Sequence, residues 1–297
     1  MKLIRPSFEI LEQKPRAIII PTDMEIGPRM VREELLSSVY RQIEIAGRTC
    51  YKSEDKITKT SAKEFVERMV KSGHGAMLEH GTIYLVRESE KDFTKDDWND
   101  FIWKYKNNPY SKANWHSTEG NHGIFYITTN YRVLVENDWL DDLQYLCEPI
   151  EHHVKRYTVK FICDRGVSHE FVRHRKFSFA QESTRYCNYS KDKFGNECTF
   201  IEPVWFNNDT YYATRKMFES ALTVAEQAYF SLLAMHWTPQ QARAVLPNSL
   251  KTELVMTGFA SDWEHFFKLR DAGSAHPQAY ELAHPLHEEF IKRGYLQ

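Results

Sequence analysis

Helix-like and strand-like patterns alternate along this chain of 297 residues. Apolar side chains recur at helical spacing over residues 29–47, and a second helical pattern follows Ser61 and stops at Gly73. Residues 83–86 and 153–163 are instead rich in β-branched and aromatic side chains, which favour strands. This interleaving predicts an α+β fold of the α/β type, in which helices pack on a mixed or antiparallel sheet.

Several later positions carry signals for helix boundaries. Asp164 is placed to cap a short helix, and the Ala, Leu, Met and aromatic content of residues 209–235 predicts a long one. Thr238 and Ser261 each open a capping-box sequence. The last helix is predicted to begin at Pro277, because proline is favoured at the first helical position.

Residues 87–123 differ from the rest of the chain. Charged residues, asparagines and tryptophans mix there without a clear period. We interpret this segment as an insertion that is packed on the surface and partly helical. Because no internal repeat or low-complexity linker divides the sequence, residues 1–297 are predicted to form one domain.

Composition limits the class of protein. Hydrophobic residues make up 42% of the chain, which is enough for a sizeable core, and the formal net charge of −2 argues against a nucleic-acid-binding protein. No apolar run approaches the roughly 20 residues that a membrane span needs. The N-terminus does not resemble a secretory signal, and the five cysteines contain no C-x-x-C pair, so we expect a cytoplasmic protein without membrane partners.

The segment 173–186, RHRKFSFAQESTRY, concentrates groups that bind anions. Its cations are Arg173, Arg175, Lys176 and Arg185, and hydroxyls stand among them. The planar fork of arginine suits a phosphate or the carbonyl edge of a pyrimidine, so the segment predicts a nucleotide site. The alternative is a solvated basic turn whose arginines pair with nearby carboxylates.

The spacing of this segment resembles the signature of flavin-dependent thymidylate synthases: R-H-R, an intermediate Ser178, and then S-x-R-Y. Three further segments resemble that family in the right order. They are Gly73-His74 with Glu79-His80, the R-x-x-L-P segment 243–247, and Leu269-Arg270 with Gln278 and Glu281. The resemblance covers roughly residues 30–290 apart from 87–123, and a long discontinuous pattern is specific.

This resemblance implies an activity. Members of the family methylate dUMP to dTMP, with methylenetetrahydrofolate as the carbon donor and reduced FAD as the hydride donor, and NADPH reduces the flavin. The expected partners are therefore the small molecules dUMP and folate, with no nucleic acid. The family also implies a homotetramer whose active sites are shared between chains.

The resemblance also implies roles for individual residues. Arg270 is the catalytic candidate, since a cation near N3 and O4 of uracil would stabilise the developing enolate. Its alternative role is to bind carbonyls at a helix end. The implied dUMP-binding residues are Glu170, Arg173, Gln181, Glu182, Ser183, Thr184, Arg185 and Arg243. The implied FAD-binding residues are His74, Ala76, Arg173, His174, Arg175, Gln181 and His265.

This chain departs from the family pattern at several positions. Ala180-Gln181 stands where the family commonly has Asn-Glu, and the carboxylate follows one place later at Glu182. Glu170 replaces a glutamine of many relatives, so an arginine is expected to neutralise it. Ala76 lacks a hydroxyl that often contacts FAD.

Two other functions are consistent with parts of the sequence. A metal hydrolase would use the segment 284–288, HPLHE, but this does not match H-E-x-x-H, and no metal site is predicted. An RNA-binding module would use the basic segment, but the chain has a balanced charge and no RNA-binding pattern. Ser183 has no evident His–Asp relay, so we expect it to bind rather than to attack. Cys163 and Cys187 offer no case for a covalent thiol mechanism.

Overall fold

The computed structural model describes residues 1–15, 28–88, 95–118, 122–207 and 212–296. Its helices are α1 (Pro28–Tyr51), α2 (Ser61–Lys71), α3 (Gly75–Leu78), α4 (Lys95–Lys106), α5 (Tyr131–Glu136), α6 (Arg165–Phe171), α7 (Tyr212–Ala234), α8 (Pro239–Ala242), α9 (Ala260–Arg270) and α10 (Pro277–Lys292). Its strands are β1 (Lys2–Ile4), β2 (Ser7–Leu11), β3 (Thr82–Glu88), β4 (Lys112–Thr118), β5 (His122–Asn130), β6 (Arg156–Asp164), β7 (Ser178–Gln181), β8 (Thr199–Ile201) and β9 (Lys251–Phe259). Helices packed on antiparallel sheets confirm the predicted α+β class.

A central antiparallel sheet has the strand order β2-β6-β9-β7. Side chains alternate between its faces. On one face Phe161 and Leu254 join the core formed with α6, α9 and α10. On the other, Ala180 and Val255 join a second core built on α1. The two faces therefore keep charged side chains on the α6 side apart from those on the α1 side.

The segment 87–123 belongs to a second sheet, of order β3-β5-β4. Its described part contains α4 and β4, so the expected helical content is confirmed. The prediction that it packs on the surface was wrong, because Phe101, Ile102 and Tyr105 of α4 are buried in the core with α1. The exposed Trp103 lies among them and obscured their helical spacing in the sequence. Whether 87–123 is an insertion, and whether 1–297 is one domain, stay predictions.

Most element predictions agree with the structure. Helices were predicted at α1, α2, α6, α8 and α10 and strands at β3 and β6, and all are present. The long predicted helix corresponds to α7 from Tyr212, while residues 209–211 lie outside the described ranges. The helix predicted from Ser261 to Arg270 is present as α9, but Ser261 is not its cap: α9 begins at Ala260, and Asp262 accepts the N–H of Phe259 at 3.0 Å.

A parallel pair, β1 and β8, completes the described strands. It packs near a third core beneath α7. Within the described ranges no helix is both long and apolar enough to cross a membrane.

Candidate functional site

Helix α6 leads from the central sheet into the basic segment. Its cap, Asp164, accepts the N–H of Val167 at 2.7 Å and the amide of Gln278 at 2.8 Å, as the capping prediction required. Burial raises the pKa of the Asp164 carboxyl, although these hydrogen bonds oppose the rise. The cap therefore fixes the direction of α6, which ends just before Arg173.

Arg270, at the end of α9, reaches back to α6. Its Nε donates to Nε2 of His174 at 3.0 Å, and Nη1 donates to Oε2 of Glu170 at 2.6 Å. Nη2 donates to the backbone oxygen of Glu170 at 2.7 Å. The arginine expected to neutralise Glu170 is thus Arg270 itself. The contact with the backbone oxygen of Glu170, in the last turn of α6, is of the kind that the helix-end alternative expects, whereas the other two contacts are with side chains.

His174 is buried at the centre of this cluster, with 8% of its surface exposed. Burial, followed by the charges of Arg270 and His265, lowers its pKa to about 4. The ring of His265 lies 5.9 Å from that of His174, centroid to centroid. The histidine of the R-H-R motif is therefore neutral at neutral pH, beside a fixed guanidinium.

The residues that flank this histidine behave differently. Arg173 and Arg175 are exposed, and within the described ranges neither forms an ion pair with a carboxylate. Arg185 is exposed as well, and its guanidinium lies over the Tyr186 ring at 5.4 Å. The alternative of a basic turn neutralised by nearby carboxylates does not describe Arg173 and Arg175.

The loop predicted after the R-H-R motif contains an edge strand, β7, that pairs with β9. Gln181 at its end donates to Ser168 of α6 at 2.8 Å and to Thr252 at 3.3 Å. Its amide therefore faces the α6 side of the sheet. The next residue, Glu182, turns to the α1 side, because successive side chains point to opposite faces.

Glu182 belongs to a buried charge network on the α1 side. Its carboxylate accepts from Lys251 at 2.8 Å and from the Tyr189 hydroxyl at 3.2 Å. Lys251 also binds Glu253 at 2.6 Å, and Lys52, at the end of α1, binds Glu253 at 2.8 Å. Glu182 is 2% exposed, so this environment favours a structural role for it.

Glu253 is the centre of this network and is 5% exposed. A third lysine, Lys160, binds its other oxygen at 2.6 Å. Burial alone would raise the pKa of the Glu253 carboxyl, but the charges of Lys251 and Lys52 and the hydrogen bonds from Lys160 and Lys251 lower it to about 2. The sequence did not reveal this network, because its members are dispersed along the chain.

The end of the basic segment is anchored by backbone and hydroxyl contacts. The N–H of Ser183 donates to the backbone oxygen of Cys50 at 2.9 Å. The exposed Arg243 donates from Nη1 to the buried hydroxyl of Thr184 at 2.9 Å. These contacts bring the R-x-x-L-P segment and the end of α1 to the signature.

His74 lies at this same end of the segment. Its Nδ1 is 2.7 Å from the hydroxyl of Tyr51, and the Tyr51 ring lies 5.9 Å from that of Tyr186. Ala76 is exposed in α3 and has no side-chain hydrogen-bonding group. The structure therefore places His74 near the S-x-R-Y end, and His265 and Arg270 near the R-H-R end.

Two concave surfaces are each lined by one of the predicted site residues, Glu170 in the first and His74 in the second. A cavity of about 350 Å³ is lined by Glu170, Asp164 and Trp205 among others. An open groove of about 700 Å³ is lined by His74 and Tyr51 together with arginines of α1 and α2. A more enclosed cavity of about 390 Å³ lies between β2, α1 and β3, and it contains none of the predicted site residues.

The histidines that suggested a metal hydrolase have another partner. Nδ1 of His284 and Nδ1 of His287 lie 2.8 and 2.6 Å from the two oxygens of Asp271. In the ranges that the structure describes, no group of three or more histidines, cysteines or acidic residues could hold a metal ion.

Fold and site together define an α+β protein with two arginines at the end of a capped helix, beside a neutral histidine and a fixed arginine. In the part of the chain that the structure describes, these two arginines have no carboxylate partner. The profile of the thymidylate synthase complementing protein family matches residues 141–293. This is more than half of the chain, which therefore belongs to that family. The match includes the R-H-R motif, the R-x-x-L-P segment and Arg270.

Similar proteins carry related names. A flavin-dependent thymidylate synthase of Geobacter sulfurreducens is 34% identical over 124 residues, which are 41% of this chain and 49% of the relative. One of Thermococcus onnurineus is 27% identical over 148 residues, 50% of this chain and 58% of the relative. The matches thus span about half of each relative's length. A solved structure, a UMP/dUMP methylase of Streptomyces cacaoi, has a TM-score of 0.43 at 16% identity and covers 98% of this chain and 93% of that one.

Proposed function

We propose that this protein methylates dUMP to dTMP, with methylenetetrahydrofolate as the carbon donor, FAD as the flavin and NADPH as its reductant. The observation that carries the proposal is a pair of exposed arginines, Arg173 and Arg175, on either side of the buried neutral His174. Neither arginine has a carboxylate partner among the described residues. Uncompensated guanidiniums at the end of α6 suit ligands that carry phosphate. Family membership supplies the class of reaction.

The residues present fit a flavin nucleotide. The groove beside His74 and Tyr51 combines aromatic rings with arginines, which suits a planar ring system that carries a pyrophosphate. His74, Arg173, His174, Arg175, Gln181 and His265 would hold FAD, with no side-chain hydrogen bond from Ala76. When bound, reduced FAD supplies the hydride.

Arg270 is assigned to stabilise negative charge that develops on the uracil ring. Its guanidinium is fixed before any ligand arrives, so little reorganisation accompanies the reaction. The neutral His174 beside it adds no second positive charge and remains available for a hydrogen bond through Nδ1.

The remaining substrate residues divide into two groups. Arg173, Arg185 and Arg243 are exposed and are assigned to dUMP, with Ser183 and Gln181 beside them. Glu170, Glu182 and Thr184 already bind Arg270, Lys251 and Arg243. Direct contact of these three with dUMP stays a prediction, and their contacts favour support of the arginine and lysine partners.

The proposal is tested with the purified chain, dUMP, methylenetetrahydrofolate, FAD and NADPH. We expect dTMP by chromatography, and no dTMP when either folate or flavin is omitted. Flavin binding is measured separately from its visible absorption and fluorescence. Absence of dTMP with all four components, at flavin saturation, would overturn the proposed activity.

We also propose a homotetramer with shared sites. The support is an exposed apolar stripe along α7 and its C-terminal end, formed by Met217, Val224 and Met235, which are 77%, 62% and 70% exposed. Their spacings of seven and eleven residues place them on the same helix face. Such a stripe suits a partner helix. Light scattering should give the mass of a tetramer for the wild type, and Val224→Glu should lower that mass. A wild-type monomer would contradict the proposal.

A cytoplasmic location stays a prediction.

A further inference from the structure

Each of the three guanidinium nitrogens of Arg270 donates one hydrogen bond within the protein, which uses three of its five N–H donors. Two of their acceptors belong to Glu170, the carboxylate oxygen Oε2 at 2.6 Å and the backbone oxygen at 2.7 Å. The third acceptor is Nε2 of His174 at 3.0 Å. The Arg270 side chain is 14% exposed, so little water competes for these hydrogen bonds.

These contacts determine where His174 carries its proton. A guanidinium N–H only donates, so Nε2 of His174 accepts and its lone pair is unprotonated. The neutral ring then carries its proton on Nδ1. Burial and the Arg270 charge, which lower the pKa of His174 to about 4, exclude the imidazolium at neutral pH.

We propose that Glu170 is the positioning residue for Arg270, and that its carboxylate turns Nε of Arg270 toward His174 and so fixes His174 as the Nδ1-protonated tautomer. The effect of this positioning on catalysis rests on the proposed function, whereas the positioning itself does not.

The chemistry of the side chain predicts a graded series of variants. In Glu170→Ala the backbone oxygen remains but the side-chain acceptor is lost, so the guanidinium can rotate away from His174. In Glu170→Gln the amide oxygen still accepts from Nη1, although without the added strength of a charge. Glu264→Ala is the matched control, because Glu264 is an exposed carboxylate on α9.

The first experiment is ¹⁵N NMR of the histidine rings, with His174 assigned by His174→Gln. Wild type, Glu170→Gln and Glu264→Ala should show the neutral Nδ1–H pattern at neutral pH. Glu170→Ala should show a mixture of the two neutral tautomers, and His174 should stay neutral, because burial, the largest cause of its low pKa, remains. Arg270→Lys, which lacks the fork, should reproduce that mixture if Glu170→Ala folds poorly. An unchanged His174 pattern in folded Glu170→Ala would overturn the proposal, and if that variant does not fold, an unchanged pattern in Arg270→Lys would do so.

The second experiment separates positioning from direct substrate contact. Glu170→Ala should lower kcat by about tenfold or more and change the KM for dUMP by less than about threefold, and Glu170→Gln should recover most of the loss. An increase in KM at unchanged kcat would instead make Glu170 a substrate contact and overturn the proposal. If the wild type makes no dTMP, the proposed function fails, and the NMR result still decides the role of Glu170.

Discussion

The two sides of the central sheet use charge in opposite ways. On the α1 side, Lys52, Lys160 and Lys251 surround the buried Glu253. At the end of α6, Arg173 and Arg175 are exposed and lack carboxylate partners within the described ranges. A buried charge requires a partner because its desolvation is costly, whereas an exposed guanidinium stays hydrated and can bind a ligand. This contrast fits the proposal that one half of the signature binds ligand, while the other half anchors the strand that carries it.

The largest expected effect is on stability. Glu253→Ala leaves three lysines around an empty position, and removal of one member of a buried ion pair costs about 3–5 kcal/mol. Urea denaturation should show this loss. The control is Glu54→Ala, which removes a partly exposed partner of Lys52 and should cost about 1 kcal/mol or less. Equal losses in the two variants would show that the network is not a buried anchor.

Arg270→Ala should have the next largest effect, and on catalysis. A fixed donor for developing charge contributes about 10²–10³ in kcat, so turnover should fall by that factor while the Kd for dUMP changes far less. Steady-state kinetics and calorimetric titration give the two values. Lys268→Ala, an exposed cation of the same helix, should behave as wild type. Equal changes in kcat and affinity would assign Arg270 to binding.

Ligand affinity tests the role of the exposed arginines at the end of α6. Arg173→Ala and Arg175→Ala should each weaken the binding of a phosphate-bearing ligand, dUMP or FAD, by about tenfold or more, since a charge-assisted hydrogen bond contributes about 1.5–3 kcal/mol. Titrations at two salt concentrations should show a weaker salt dependence in each variant. Wild-type affinity for both ligands in both variants would remove the observation on which the proposed function depends.

The smallest expected effect is on the pH dependence of stability. His174 has a folded pKa of about 4 against 6.5, so the unfolded chain binds more protons between these values and stability falls as pH drops through this window. Glu253, at about 2 against 4.5, loses its contribution only at lower pH. His174→Gln should therefore reduce the fall in Tm between about pH 7 and about pH 5 by a few degrees. An equal fall in Tm in the variant and the wild type would show that His174 does not contribute to the pH dependence of stability.

Local patterns accounted for much of the fold. Helical spacing predicted α1 and α2, and a capping residue predicted the start of α6, because these signals involve neighbours in the chain. Strands β7 and β9 were not predicted. Strand β7 is short and lies within a basic segment, and its pairing with β9 is a long-range contact. The burial of α4 was missed because the exposed Trp103 hid the side chains that face the core.

The candidate site was predicted unevenly. The order of the motifs selected Arg173, His174, Arg175 and Arg270 as candidates, whose roles stay predictions, and the sequence also indicated that an arginine should neutralise Glu170. The sequence pattern did not identify Arg270 as the partner of Glu170. Nor could it show that Gln181 faces α6 while Glu182 joins a buried lysine network, because that requires the face assignment of β7.

The sequence by itself determined the family and the types of side chain that the site contains, since both depend on the order of residues. Only the tertiary structure decided which charges meet. Glu170 and Arg270 are 100 positions apart, and Lys52 and Glu253 are 201 apart. Their pairing depends on how the sheet and helices pack and on which face each side chain occupies, and those relations leave no local pattern in the chain.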